Sequence, residues 1–285
     1  MLDSGLARRL AVLAGLPGVR ERAEMVRDGC TRLRFHETLR RRMPQAAAES
    51  RVRGAWASAS LDGATVPVEA VRDLMRGRRP WPVDPDPAMR VVRGAVTATA
   101  ATEHLAGLLR TAPLQALARL HVAAASDLLP AEQLGRPRGG GEDCDELVTL
   151  GPAPALARTG RLAQLSELVA AGAAPPPEVP ALVLAAVVHA EIAVLRPFVR
   201  GNGVVARAME RALVQASGLD PTGVAVCEAG HLDQGATAYL GALTAYGEGS
   251  AAGVGLWLVH CGDSLLAAVR EAERVCEAVR AGRLT

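Results

Sequence analysis

The residues with the clearest chemical potential lie in the segment VLRPFVRGNGVVAR, residues 194–207, where three arginines surround a Gly-Asn-Gly turn. The proline should end one helical pattern, and the glycines allow a sharp turn into the next. The turn is therefore predicted to be a helix N-terminus, whose unpaired N–H groups and dipole attract an anion such as phosphate or carboxylate. Alternatively, the glycines only allow close helix packing and the arginines cover the surface. The predicted anion-binding residues are Arg196, Arg200, Gly201, Asn202, Gly203 and Arg207.

The same turn also satisfies a dinucleotide-binding pattern. Residues 201–206 fit G-x-G-x-x-[GA], and Asp220 follows at about the spacing of a ribose-binding acid. This minor alternative predicts an NAD-dependent oxidoreductase. The fingerprint must follow a β-strand within a βαβ unit, however, and residues 180–194 have the length and alanine content of a helix.

Other polar residues form weaker patterns. One set of cysteines and histidines lacks the paired C-x-x-C spacing of zinc sites, so we predict no metal site from Cys227, His231, His260 and Cys261. His121 and His189 lie on apolar helical faces, where hydrogen-bonded core histidines are expected. The acidic run 142–146 is predicted to be a solvated loop whose charge favours a basic partner.

Composition favours an all-α protein. The 285 residues are 49% hydrophobic but only 2% aromatic, so the core must consist of Ala, Leu and Val, which suits close-packed helices. The 32 cationic residues, all of them Arg, balance 30 anionic ones, which argues against nucleic acid and membrane as partners. Five cysteines without regular spacing indicate reduced thiols. The N-terminal residues lack a long apolar region, so a cytoplasmic location is expected.

Helical patterns account for most of the chain. They are predicted over residues 19–43, 49–61, 67–76, 88–110, 113–129, 158–171, 180–194, 202–217, 233–247 and 253–280. The proline-rich stretch 78–87 should join an N-terminal helical region, residues 1–80, to a core over residues 86–285. Glycines and prolines around a Leu-Val-Thr-Leu run in residues 135–154 predict a small β-hairpin flap.

Residues 196–207 resemble the signature of the Fic-domain family, H-P-F-x-[DE]-G-N-[GK]-R-x-x-R. Six of its nine specified positions agree, at Pro197, Phe198, Gly201, Asn202, Gly203 and Arg207. The helical pattern with His189 and the stretch QALARLHVAAASDLLP followed by LGRPR are similar to the family's helices and flap. Ser58, Asp62 and Gly63 are similar to its inhibitory motif, [ST]-x-x-x-E-[GN].

The resemblance implies an all-α Fic-like helical bundle that transfers AMP or a similar group from a nucleotide to a target hydroxyl, often with a divalent metal. The departures fall on the chemistry. Arg196 replaces the motif histidine and cannot act as the general base, because its guanidinium stays protonated. Arg200 replaces the acidic metal ligand, so Mg²⁺ is not expected. Val204 replaces the first motif arginine and removes one phosphate contact.

We therefore expect a degenerate Fic-like protein that binds a nucleotide such as ATP, or another phosphate-bearing ligand, or works as a regulatory partner, without the usual AMP transfer. The alternative is an active nucleotidyl or phosphoryl transferase that uses another base. Asp62 is expected to pair with Arg207 and gate the site, although Asp62-Gly63 could simply end a helix. Residues 135–150 of the flap are the predicted docking surface for a target protein. A second copy of the chain is the other partner considered, as a homo-oligomer.

Overall fold

The computed structural model describes residues 4–156 and 160–283, and its architecture is all-α, as predicted. Short 3-10 turns occur at Thr102–His104, Ala131–Gln133 and Val148–Leu150. The α-helices are α1 Ser4–Ala14, α2 Val19–Arg34, α3 Leu39–Leu61, α4 Val68–Met75, α5 Pro87–Ala101, α6 Ala106–Thr111, α7 Pro113–Ala125, α8 Arg161–Ala173, α9 Ala181–Leu195, α10 Asn202–Ala216, α11 Cys227–Gln234, α12 Ala236–Gly247 and α13 Ala251–Arg280.

Helix α9 lies at the centre of the bundle. It is apolar on all sides and buried against α8, α10, α12 and α13, which is the pattern of a core helix rather than an amphipathic surface helix. Trp257 of α13 donates a hydrogen bond from Nε1 to the carbonyl oxygen of Ala186 at 2.8 Å, which fixes the contact between these two helices. Small residues allow the other helices to approach closely. A Cβ atom at Gly94 of α5, for example, would lie 2.1 Å from the carbonyl oxygen of Ala124 in α7.

Several predicted helices have different bounds in the structure. The pattern over residues 19–43 is divided between α2 and α3, and Arg42 has a non-helical φ of −130° two residues before Pro44, since the proline ring disfavours helical backbone before it. The pattern over residues 88–110 is interrupted after Ala101 by a 3-10 turn. The predicted helix start at Arg158 lies outside the described residues.

The predicted β-hairpin at residues 135–154 is wrong, since no strand occurs within 4–156 or 160–283. This segment, called the flap below, makes local turn and side-chain hydrogen bonds, and it is also bonded to the loop between α9 and α10. The backbone N–H of Arg138 donates to the carbonyl oxygen of Pro197 at 2.7 Å, and its Nε donates to that of Arg196 at 2.8 Å. These tertiary hydrogen bonds form in place of strand pairing. The glycines and prolines of the segment also disfavour the regular backbone hydrogen bonds of a β-hairpin.

The lack of strands in the described ranges also excludes the dinucleotide-binding alternative, which needs a βαβ unit. All five cysteines are free thiols, as predicted. Helix α13 is the one described helix that is long and apolar enough to cross a membrane, but 67% of its apolar window is buried inside the bundle. That degree of burial is typical of a core helix.

Candidate functional site

The turn between α9 and α10 is a helix N-terminus, as the sequence predicts. Helix α9 ends at Leu195, and Arg196 (φ 46°) and Gly201 (φ 84°) both adopt left-handed backbone conformations. The side chain of Asn202 braces the loop, because its Oδ1 accepts from the Phe198 N–H and its Nδ2 donates to the Phe198 carbonyl oxygen, each at 2.9 Å. The first N–H groups of α10 are thereby held in one orientation.

Those N–H groups bind an anion that belongs to the chain itself, the carboxylate of Glu146 in the flap. One of its oxygens accepts a hydrogen bond from the Gly201 N–H. The other accepts from the N–H of Asn202 at 2.8 Å and from Asn202 Nδ2 at 3.0 Å. Burial and the nearby charge of Asp62 raise the pKa of Glu146, while these donors oppose the increase.

A cavity of about 360 Å³ opens next to this carboxylate. Its polar lining comprises the side chains of Asp62, Glu146, Thr149 and Arg200 together with the glycine backbone of the turn. Apolar surface is contributed by Leu61, Val91, Leu128 and Leu240, among others. Arg200 is exposed and supplies the cationic side of the cavity. The cavity therefore combines apolar walls with a few convergent polar groups, which is the usual character of a small-ligand site.

Arg207 is fully buried behind the turn and is held by α3. Its Nε donates to Ser58 Oγ at 2.9 Å, and its Nη2 donates to the Ser58 carbonyl oxygen at 3.0 Å and to Asp62 Oδ1 at 2.7 Å. The ion pair expected between Asp62 and Arg207 is therefore present. Gly63, with φ at 88°, follows Asp62 at the end of α3. Asp62 therefore both pairs with Arg207 and lies at the end of a helix, as the two interpretations of this segment predicted.

One nitrogen of Arg207 makes no hydrogen bond. Nη1 is buried without a partner among the described residues, and a Cβ atom at Gly203 would lie 3.2 Å from it and 3.1 Å from Asp62 Oδ1. Gly203 itself lines the cavity. A side chain at position 203 would therefore press against the ion pair, and a buried guanidinium nitrogen lies directly behind the cavity wall.

Arg196 does not line the cavity. Its side chain is buried, and Nη1 donates to the backbone carbonyl oxygens of Glu146 at 3.1 Å and Leu147 at 3.3 Å. Burial lowers the pKa of this guanidinium. The arginine at the motif histidine position thus supports the flap segment that carries Glu146.

His121 of α7 supports the same loop from the other side. Its Nε2 lies 3.1 Å from the Arg200 carbonyl oxygen, its Nδ1 accepts from the Gly135 N–H at 2.9 Å, and its ring stacks on Phe198 at 3.8 Å. Burial lowers the pKa of His121 to about 4, so Nε2 donates and the ring is neutral. His121 is thus a hydrogen-bonded core histidine, as expected.

Glu146 is a site residue that the sequence interpretation missed, because the run 142–146 was expected to be solvated throughout. Its partner turn begins 55 residues later in the chain. The one available signal is that Glu146 is the last acid before the apolar Leu-Val-Thr-Leu run, where the flap turns towards the core. Glu142, in contrast, pairs with exposed Arg136 and fits the expectation.

Comparisons with known proteins place this geometry in a structural context. No family model and no curated protein sequence matches the chain, whereas 32 solved chains share its structure. One is a Fic family protein from Desulfovibrio desulfuricans G20, with 22% identity, a TM-score of 0.67, and coverage of 89% of this chain and 74% of that one. The chain has a Fic-domain fold.

Two further structures agree with this assignment. Fic-1 from C. elegans is 15% identical with a TM-score of 0.65, and the match covers 93% of this chain and 73% of that one. A Fic-domain-containing signaling protein from Bacteroides thetaiotaomicron is 12% identical with a TM-score of 0.59, covering 90% and 98% respectively. The fold expected from the motif is confirmed by chains with little sequence identity.

Proposed function

We propose that this Fic-fold chain binds a nucleotide such as ATP, or another phosphate-bearing ligand, in the cavity at the N-terminus of α10 and does not carry out the usual AMP transfer. The observation that carries the proposal is the carboxylate of Glu146 on the N–H groups of Gly201 and Asn202. An anion is already bound where a phosphate would bind, beside a cavity of about 360 Å³.

Phosphate would bind by replacing the Glu146 carboxylate. The two N–H donors and Asn202 Nδ2 would pass to phosphate oxygens, and exposed Arg200 would reach the ligand from the cavity rim. Arg207 Nη1 is an additional donor behind Gly203. The carboxylates of Asp62 and Glu146 oppose an anion, so binding requires that one of them moves or is neutralised.

The absence of AMP transfer in this proposal follows from two side chains. Arg196 is bonded to flap carbonyl oxygens and stays protonated, so it cannot accept a proton from an attacking hydroxyl. Arg200 presents a positive charge where the family motif has an acidic metal ligand, which disfavours Mg²⁺. Glu146 does not stand in for that metal ligand, because both of its carboxylate oxygens already accept hydrogen bonds from the turn.

A thermal-shift series with ATP, ADP and inorganic phosphate, each with and without Mg²⁺, tests the binding proposal. We expect ATP to raise the melting temperature of the wild type, and Arg200→Ala to reduce that increase. Arg270→Ala is the matched control, because Arg270 is an exposed arginine of α13 that does not line the cavity. If no phosphate-bearing compound stabilises the wild type, the proposal is wrong.

An active transferase is the second candidate, and Glu146 is the observation that favours it. This carboxylate lines the cavity and has a raised pKa, which brings it closer to the range of a general base at neutral pH. In such a reaction a target hydroxyl would attack the α-phosphate, its proton would pass to Glu146, and pyrophosphate would leave. AMP adducts found by mass spectrometry after incubation with ATP, Mg²⁺ and bacterial lysate proteins would establish this alternative.

The flap supplies the surface that a protein target would contact. Residues 139–141 are exposed glycines, and Asp143 and Asp145 are exposed acids beside them. A target segment with basic side chains would complement these charges. We include docking at residues 135–150 in the proposal, and crosslinking of Asp143→Cys to a co-purifying protein tests it, with exposed Arg270→Cys as the control position.

A further inference from the structure

A second group of polar side chains converges below the candidate site, in the interior of the bundle. His189 of α9, Glu210 of α10 and His231 of α11 are all fully buried. His189 Nδ1 lies 2.7 Å and His231 Nε2 lies 2.8 Å from the same oxygen, Glu210 Oε2. Each residue offers one ligand atom, and all these atoms lie within 4.8 Å of one another.

Hydrogen bonds alone leave this group incomplete. The second carboxylate oxygen, Glu210 Oε1, is buried and has no hydrogen-bond partner among the residues the structure describes. Its two neighbouring groups are the imidazoles of His189 and His231, and both contact the other oxygen, Oε2. The two buried arginines of the same helix are already paired, Arg207 with Asp62 and Arg211 with Glu228. A buried carboxylate oxygen without a hydrogen-bond donor is costly, and it calls for a further partner.

The outer nitrogens of both histidines are held by a second layer of polar groups. Tyr239 OH lies 2.7 Å from His189 Nε2, and both His260 Nε2 and Ser264 Oγ lie 3.2 Å from His231 Nδ1. Metal-binding histidines characteristically use the nitrogen away from the metal in this way, which fixes the orientation of the ring. The aromatic ring of Trp257 packs over the group and keeps water away from it.

We infer that His189, Glu210 and His231 form a structural binding site for a divalent transition metal, with zinc as the first candidate. The ligands would be His189 Nδ1, His231 Nε2 and both oxygens of Glu210, which gives four donor atoms. Two imidazoles and one carboxylate are a recurrent zinc ligand set, with bonds of about 2.0 to 2.2 Å. Accommodating the ion requires each imidazole nitrogen, now 2.7 or 2.8 Å from Glu210 Oε2, to move away by about 0.6 Å, since tetrahedral donors at these bond lengths lie about 3.4 Å apart.

The metal would join α9, α10 and α11 directly below the turn that forms the candidate ligand site. It would satisfy Glu210 Oε1 and neutralise the buried carboxylate, and it would load during folding because the group has no opening to solvent. This inference is independent of the proposed phosphate binding, since Arg200 and Glu146 take no part in it. Among the four residues considered as a zinc set from the sequence, His231 belongs to this group of ligands, whereas Cys227 and Cys261 do not.

Metal analysis of the intact protein provides the test. We expect about one zinc ion per folded chain by inductively coupled plasma mass spectrometry after gel filtration through chelator-treated buffer. Glu210→Gln should reduce that content to about a tenth or less, because an amide is a poor ligand for the ion. His104→Ala is the control, since His104 is an exposed histidine far along the chain from the group.

A second measurement covers the case in which Glu210→Gln fails to fold. Wild-type protein produced in cobalt-supplemented medium should show visible absorption from a low-symmetry cobalt site, and a strong chelator applied during heating should lower its melting temperature. Wild-type protein that is folded, contains none of zinc, manganese, iron, cobalt or nickel, and melts at the same temperature with and without these ions would overturn the inference.

Discussion

Glu146 competes at the turn with the ligand that we propose. Its carboxylate uses the N–H groups of Gly201 and Asn202, so any phosphate must displace it. Replacing Glu146 by Gln removes the charge while keeping the size of the side chain. We predict that Glu146→Gln binds ATP about tenfold more tightly than the wild type, since bonds to a charged acceptor exceed those to a neutral one by about 1 kcal/mol or more.

Isothermal titration calorimetry with ATP measures this change. Glu142→Gln is the matched control, because Glu142 lies in the same flap but pairs with Arg136 instead of the turn. Equal affinities for Glu146→Gln and the wild type would show that Glu146 does not occupy the ligand site.

The raised pKa of Glu146 predicts a pH dependence of anion binding. In the folded protein this carboxyl group takes up a proton at a pH above its ordinary value of 4.5. Lowering the pH through the raised pKa neutralises Glu146 and should strengthen anion binding, whereas the charged form present above that pKa weakens it. Sulfate is a suitable probe because its charge is constant between about pH 5 and about pH 7.5. We expect tighter sulfate binding at the lower pH.

The same titration on Glu146→Gln isolates the responsible group. His121 has a pKa of about 4 and stays neutral across this range. A pH dependence that persists unchanged in Glu146→Gln would assign the effect to another residue.

Asp62 restrains Arg207 from the α3 side of the turn. With the charge of Asp62 removed, Arg207 Nη2 would be held less strongly and would gain freedom to move towards the cavity, and one negative charge would leave the cavity lining. We predict that Asp62→Asn increases ATP affinity several-fold, about 1 kcal/mol. It should also lower the free energy of unfolding by about 3 kcal/mol, because the buried guanidinium loses its charged partner and keeps only its bonds to Ser58. Fluorescence titration with a labelled ATP analogue measures it. An exposed acid, Asp28, provides the control as Asp28→Asn, and unchanged affinity of Asp62→Asn would exclude a gate.

At the scale of elements, local sequence predicted the helices around the turn better than the flap. The bounds of α9 and α10 follow from proline, glycine and apolar periodicity within a few residues of each end, and these signals are local. The flap has no such signal, because its conformation depends on Arg138 bonding to the carbonyl oxygens of Arg196 and Pro197. Glu146 was missed for the same reason, since its contacts depend on how distant segments pack.

Close helix packing gives a prediction for α5 and α7. A methyl group at Gly94 would lie 2.1 Å from the carbonyl oxygen of Ala124, so Gly94→Ala must push the two helices apart. We expect a loss of about 1 to 3 kcal/mol in the free energy of unfolding, measured with urea. Gly107→Ala is the control, because a Cβ atom there meets nothing within 4 Å, and alanine favours a helix by up to about 1 kcal/mol. Equal stabilities of the two variants would contradict the close contact.

For the whole molecule, helices from both ends of the chain form one interior. The apolar core cluster extends from Leu10 to Val279. Buried hydrogen bonds also connect distant helices within this core, since Arg211 of α10 donates to Glu228 of α11 and to Ser50 of α3. Breaking such a network in one region leaves buried charges unpaired in the others, which couples their stabilities. The N-terminal helices are therefore part of the structure that holds the turn.

This coupling predicts one cooperative unfolding transition. Replacing Trp56 and Trp81 by Phe leaves Trp257, fully buried in α13, as the single fluorescent reporter of the interior. Its fluorescence and the far-UV circular dichroism of all helices should change at the same urea concentration, because a two-state transition gives coincident probes. The double variant must first match the wild type in its circular dichroism midpoint. If the helical signal then falls in two steps, with Trp257 following only one of them, the helices before residue 86 unfold separately from the interior that Trp257 reports, and the predicted coupling is wrong.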